Sequence, residues 1–357
     1  MPPLADYQHL LKTSRRVNWR VEDLVGEGRR LDFTRPFLPE TFAQTEPLGF
    51  LSAAEKLKLN HIRARGYLAL FELVETFVVP FVSGQSNDEI EADPFRAPAL
   101  RHFVDEEQKH RELFSAVLRE FDGGFGTPCG LIGPADEICR AILGHHPLAV
   151  AIAILGLEWM SQGHYLGSVK DNQDLDPQFK SLLKHHWIEE AQHAKLDGLV
   201  LKSLAERSSP QDVAAGLQEY FEIGAFLDAG FSQQAGLDLE SLERAIGRRL
   251  PDHERRQFLD VQHGALRGGE VVHPALTGVT GARQGTVAPS GCTGRGAANA
   301  ARTKVRREIK LAALAVVPFK RYPRLSTGRP NVAASQAFVR RAFPHQRDIF
   351  RQLVSLP

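Results

Sequence analysis

The chain has 357 residues, 43% of them hydrophobic, enough to bury a substantial core, so a globular body is expected. Its three cysteines, Cys129, Cys139 and Cys292, show no Cys-x-x-Cys spacing, so neither a disulfide framework nor a thiolate metal site is indicated, which fits a reducing cytoplasm. The net charge of +1 conceals a division: 15 Lys and Arg against two acids, Glu308 and Asp348, give the segment from Val271 a charge of +13, leaving −12 on the remainder. The first residues lack the basic start and apolar run of an export signal, and the most apolar stretch, Pro147 to Met160, is too short to span a bilayer and carries Glu158. A cytoplasmic protein without membrane association is therefore expected.

In chain order, residues 1–50 show no sustained period and are broken by Pro36, Pro39, Pro47 and several glycines, which predicts an irregular arm. Ser52 and Glu55 form a capping box that opens a first long helix, running to about Phe81. Asp93-Pro94 opens a second, to Phe121, closed by Gly123, Gly124, Gly126 and Pro128. A third starts near Pro147 and reaches about Lys170, and a fourth runs from Asp176-Pro177 to about Glu206. Ser209-Pro210 opens a fifth, to roughly Gln234, and Asp238 a sixth. No alternating strand pattern or Gly-rich phosphate loop is present, so dinucleotide-binding and P-loop folds lose support and the body reads as all-α. The organisation expected is an arm over 1–50, a bundle over 51–262 and a basic Gly- and Arg-rich tail over 263–357. Such a tail reads as a solvated, partly disordered extension; no aromatic interleaving marks a nucleic-acid partner.

The chemistry lies on the helix stripes. In the second helix Leu100, Phe103, Val104, Phe114, Val117, Leu118 and Phe121 mark the core face, and Glu107 and His110 fill its missing steps; Glu106 falls off it. In the fourth, Phe179, Leu182, Leu183, His186, Glu190, His193, Val200 and Leu204 share one face, with Glu189 pointing elsewhere. Asp197, one turn beyond His193, could hold the other N–H of a ligating imidazole. The third helix is apolar nearly all round, so Glu158 is a lone acid in a central position and needs a cation. The first helix offers Glu72 and Glu75, of which one need face inward. A Glu from each of two helices and a Glu-x-x-His from each of two others is the pattern by which bundles hold two iron or manganese ions, and four carboxylates balance two divalent charges.

Glu72, Glu107-x-x-His110, Glu158 and Glu190-x-x-His193 resemble the ferritin-like diiron carboxylate proteins, over roughly residues 50 to 262. His186, within the run His185-His-Trp-Ile-Glu-Glu-Ala-Gln-His193, narrows the resemblance to the diiron N-oxygenases typified by p-aminobenzoate N-oxygenase. That resemblance implies a ferritin-like bundle with additional C-terminal helices, two iron ions (manganese as the alternative) and seven ligands: Glu72, Glu107, His110, Glu158, His186, Glu190 and His193. Family spacing favours Glu72 over Glu75. It also implies dioxygen, a small amine substrate and an electron donor as partners, and leaves a homodimer open. The alternative function is a non-oxygenating ferritin-like protein for iron handling or peroxide defence. Gln162 and Tyr165, one and two turns past Glu158, are candidate pocket residues, and Arg65 could meet a substrate carboxylate. His145, His146, His164 and His185 read as loop or surface residues. The chain departs from the family after His263, where either a different tail or a shifted reading frame is implied.

Overall fold

A computed structural model describes residues 4–26, 28–86 and 93–269. The basic tail from residue 270 onward, and the expectations attached to it, lie outside the described residues. The described chain is all-α, with no strand: α1 (Leu4–Ser14), α2 (Val21–Leu24), α3 (Glu40–Ala43), α4 (Ala53–Ser86), α5 (Arg96–Phe125), α6 (Ala135–Leu143), α7 (Pro147–His164), α8 (Pro177–Arg207), α9 (Pro210–Ile246) and α10 (Asp252–Gly269). A π-helical turn, Tyr165–Val169, continues directly from α7. The helices α4, α5, α7 and α8 form the bundle; α4 lies along α5 and α7 along α8, while α9 packs on both α4 and α7. By length and composition α4 could cross a membrane, yet 67% of its apolar window is buried inside the protein.

The helix starts follow the chemistry of their caps. Glu55 accepts a hydrogen bond from Ser52 N at 2.8 Å and Ser52 Oγ accepts one from Glu55 N at 3.3 Å, closing the box that opens α4. At α9, Ser209 Oγ accepts from Asp212 N, with Asp212 Oδ2 accepting from Ser209 N. Asp176 opens α8 by accepting from Phe179 N at 2.6 Å, with Pro177 at the first helical position. Its second oxygen accepts from Asp32 N at 3.1 Å and so ties the N-terminal arm to the helix that carries two histidines of the site, His186 and His193. Asp176→Ala is expected to cost about 1 to 2 kcal/mol in a denaturant melt. A loss below about 0.3 kcal/mol would show that neither bond matters to stability.

Three expectations are corrected. The arm is not wholly irregular: α1 is an 11-residue helix whose Tyr7, Leu10 and Leu11 are buried, and Phe37 and Leu38 are clamped to α4 by both ends of the Asn60 amide. Pro36, Pro39, Pro47 and the arm's glycines lie beyond α1, so they obscured a short amphipathic run. The nine-residue α6 went unread for the same reason, being flanked by Gly130, Gly133 and Pro134. No sixth helix opens at Asp238. Its side chain reaches across to Arg63 of α4 at 3.1 Å instead of back to its own backbone, and α9 runs through it unbroken. Close approach also shapes the core: a β-carbon at Gly216 of α9 would lie 2.8 Å from Leu148 Cβ of α7, so glycine lets these two helices meet.

Candidate metal centre

Helices α4, α5, α7 and α8 bring one acid or one Glu-x-x-His each to a common buried point. Glu107 and His110 of α5 are fully buried, and His186, Glu190 and His193 of α8, Glu158 of α7 and Glu75 of α4 are each at most 5% exposed. Ligand atoms of Glu107, His110, Glu190 and His193 lie within 4.8 Å of one another, and those of Glu75, His110 and His186 form a second such group sharing His110. Glu190 Oε1 is the hub, 3.0 Å from His186 Nε2, 3.2 Å from His110 Nδ1 and 3.4 Å from His193 Nδ1. His193 Nδ1 is also 2.8 Å from Glu107 Oε1.

The outer ring nitrogens are held crosswise. His110 of α5 donates from Nε2 to Glu189 of α8 at 2.9 Å, and His193 of α8 donates from Nε2 to Glu106 of α5 at 3.0 Å. Glu106 and Glu189, expected off the stripes, are therefore buried partners that turn both Nδ1 atoms inward. Each stands one residue before its Glu-x-x-His, and the repeated Glu-Glu-x-x-His doublet was the signal in the sequence. Ser14 of α1 and His102 fix Glu106 further, and Lys109 pairs with Glu189 while its Nζ lies 4.0 Å over the Trp19 ring. Aromatic rings close the surroundings: Phe103 stacks on His193 at 4.1 Å, Trp19 on His110 at 6.1 Å, and Phe71 and Phe114 stand edge-on to His186.

The electrostatics follow from four core carboxylates in a dry space. Burial, reinforced by the charges of Glu107 and Glu190, pushes Glu75 and Glu158 well above the usual carboxylate range. Burial acts the same way on Glu190 but is outweighed by His186 and by hydrogen bonds from Glu158 and His110, so its carboxyl is held low. For His110 and His193, burial opposes protonation, yet the Glu107 charge and the surrounding carboxylates overcome it and hold both imidazoles well above their ordinary value.

The residues suit a cation. Oε2 of Glu75, Oε1 of Glu107, Oε2 of Glu158, Nε2 of His186, Oε1 of Glu190 and Nδ1 of His193 are buried without a well-oriented hydrogen bond. Several of them nevertheless lie 2.8 to 3.4 Å from an opposite partner. Atoms so close and so poorly aligned point at a shared position more than at each other, as ligands of an ion do. The mixed carboxylate and imidazole donors, with no thiolate, match iron or manganese better than softer metals.

The structure corrects the first-helix acid. Glu72 is half-buried and accepts a hydrogen bond from Ser115 of α5, whereas Glu75, three residues on, faces the cluster. Both acids sit among apolar neighbours, so the stripe of α4 did not separate them. Glu75→Ala is expected to weaken metal affinity at least about tenfold, and Glu72→Ala to leave it within about twofold, by equilibrium metal titration. The reverse order would restore Glu72 as the ligand.

The candidate outer residues also change. Asp197 is buried, with burial pushing its carboxyl well above the usual range, but Glu106 already holds the His193 Nε2 and Asp197 Oδ2 bonds to nothing. Gln162 donates to the Trp187 carbonyl at 3.5 Å, and Tyr165 stacks on the Trp187 ring at 4.6 Å; both belong to the α7–α8 packing. Arg65 is engaged by Asp122 at 2.7 Å. Among the histidines read as loop or surface, His146 caps α7 by accepting from Leu148 N, and His164 bonds Tyr67. His61, overlooked, is buried between Phe33 and Phe37 and bonds the Arg35 carbonyl.

No protein-family model matches the chain, and no characterised protein matches it.

Proposed function

We propose that this chain is a diiron oxygenase that activates dioxygen and N-oxygenates an amine, of the arylamine class, toward hydroxylamine and nitro products. The observation that carries the reading is the third imidazole, His186, whose Nε2 stands 3.0 Å from the hub carboxylate of Glu190 inside a cluster already supplied with two Glu-x-x-His pairs. Two bound iron ions would supply the redox equivalents for dioxygen reduction, replenished by a separate electron donor.

The chain's own residues do the rest. Glu75, Glu107, Glu158 and Glu190 offer four negative charges to two divalent ions, which removes the cost of burying either set alone. Glu106 and Glu189 keep the Nε2 protons of His193 and His110 in place, so that each ring presents Nδ1 to the centre. Trp19, Phe71, Phe103 and Phe114 exclude water from the imidazoles, which suits a reaction whose reduced oxygen must meet substrate before solvent.

The test is to load the full chain with ferrous iron under nitrogen, add an arylamine and a reductant, admit dioxygen, and follow the amine by mass spectrometry. Hydroxylamine or nitro product formed with dioxygen uptake is expected. Iron oxidation without organic product would favour the iron-handling alternative.

A further inference from the structure

A cavity of about 440 Å³ lies among α4, α6, α7 and α9, with no residue of α5 or α8 in its lining. Its volume suits a small organic molecule. Its inner wall and the metal cluster share two helices: Val74 and Leu157 line the cavity, and the next residue along each helix is Glu75 or Glu158. Phe71 belongs to both, lining the cavity while its ring stands 5.2 Å from that of His186. The outer end opens between α6 and α9, where Phe226 is 40% exposed and Glu137 and Gln233 are exposed. Nearly every lining side chain is apolar; Glu137 is the one ionisable group, and no Lys, Arg or His lines it among the described residues.

We propose that this cavity is the substrate site and that it takes a ring-bearing amine without a carboxylate, amine end inward toward Phe71 and tail toward Glu137. The assignment rests on the oxygenase reading for its amine end. Its discrimination comes from the walls alone. A carboxylate in the tail would lose hydration against apolar side chains and meet the like charge of Glu137, with no cation to offset either cost. Arg65, the cation nearest in sequence to this part of α4, is held by Asp122 through two hydrogen bonds. A neutral tail, or one that donates a hydrogen bond to Glu137 or Gln233, meets no such penalty.

Calorimetric titration of the iron-loaded full chain under nitrogen, with 4-butylaniline and with 4-aminobenzoate, tests the proposal without turnover. The butylaniline is expected to bind at least about tenfold more tightly, and Glu137→Arg to narrow that ratio by about tenfold. A β-carbon at Gly230, on the α9 wall, meets only Ile132 Cδ1, at 3.4 Å, so Gly230→Phe can fold while filling the space. It should weaken butylaniline binding at least about tenfold with iron content unchanged. Equal or tighter binding of aminobenzoate by the unsubstituted chain, or butylaniline binding unmoved by Gly230→Phe, overturns the assignment. Binding as described without any oxidised product on adding dioxygen and reductant would leave the cavity standing and remove the oxygenase. Product formed without such binding would do the converse.

Discussion

Glu190→Ala is expected to reduce bound iron from two ions per chain to one or none and to lower dioxygen uptake at least about 100-fold. One oxygen of Glu190 lies within 3.4 Å of a ring nitrogen of each of three histidines, and no other carboxylate oxygen in the cluster is so placed. Removing it takes away a ligand and also one of the carboxylates that hold the His110 and His193 imidazoles above their ordinary value. Plasma emission analysis gives the metal content, and an oxygen electrode the uptake. Circular dichroism on the same sample separates loss of metal from loss of fold. A variant that retains two ions and full uptake would mean that Glu190 is a structural partner of the histidines and that the ions, if any, sit elsewhere.

The largest stability effect is expected at a buried ion pair outside the cluster. Arg63 of α4 and Asp238 of α9 are 6% and 1% exposed, joined at 3.1 Å, with Gln234 donating to the second Asp238 oxygen at 2.8 Å. Burial pushes the Asp238 carboxyl above its ordinary value even beside the guanidinium, so desolvation outweighs the pairing. Such a pair adds little net stability but is costly to break. Arg63→Ala, which strands the carboxylate, should cost about 3 to 5 kcal/mol, while the double change Arg63→Met with Asp238→Leu should recover most of it. In a thermal melt the single variant should fall by roughly 6 to 15 °C. A single variant within about 1 kcal/mol of the parent would show that water reaches Asp238 and that α9 is less firmly seated on α4 than the geometry implies.

Much of the site was legible because core-facing charge is rare. On α5 and α8 the interruption of an apolar stripe by Glu107, His110, His186, Glu190 and His193 marked residues that must find partners, and the structure brings all five together. Glu158 stood out as the acid in a helix otherwise apolar. Capping chemistry located the starts of α4, α8 and α9, since Ser52, Asp176 and Ser209 bond their own first turns. The remainder depended on relations between helices. Glu106 and Glu189 lie about 100° round from the core stripe, so each points sideways across the α5–α8 contact, a direction visible only once the two helices are docked. Glu72 and Glu75 differ by less than one turn on a helix apolar on several sides, and the rotation of α4 against α5 decides between them. Asp238 looked like a cap because its sequence permits one; its partner is 175 residues away. α1 and α6 are short enough that flanking glycine and proline outweighed their own amphipathic patterns.

The central claim is that seven buried side chains, Glu75, Glu107, His110, Glu158, His186, Glu190 and His193, hold two metal ions between four helices. Anaerobic titration of the metal-free full chain with ferrous iron, read by circular dichroism in the ligand-field region and by bound iron after desalting, tests it most directly. The account predicts saturation at two ions per chain for the parent and a lower value for Glu75→Ala but not Glu72→Ala. Saturation below one ion, or a stoichiometry indifferent to Glu75 and Glu190, would contradict it.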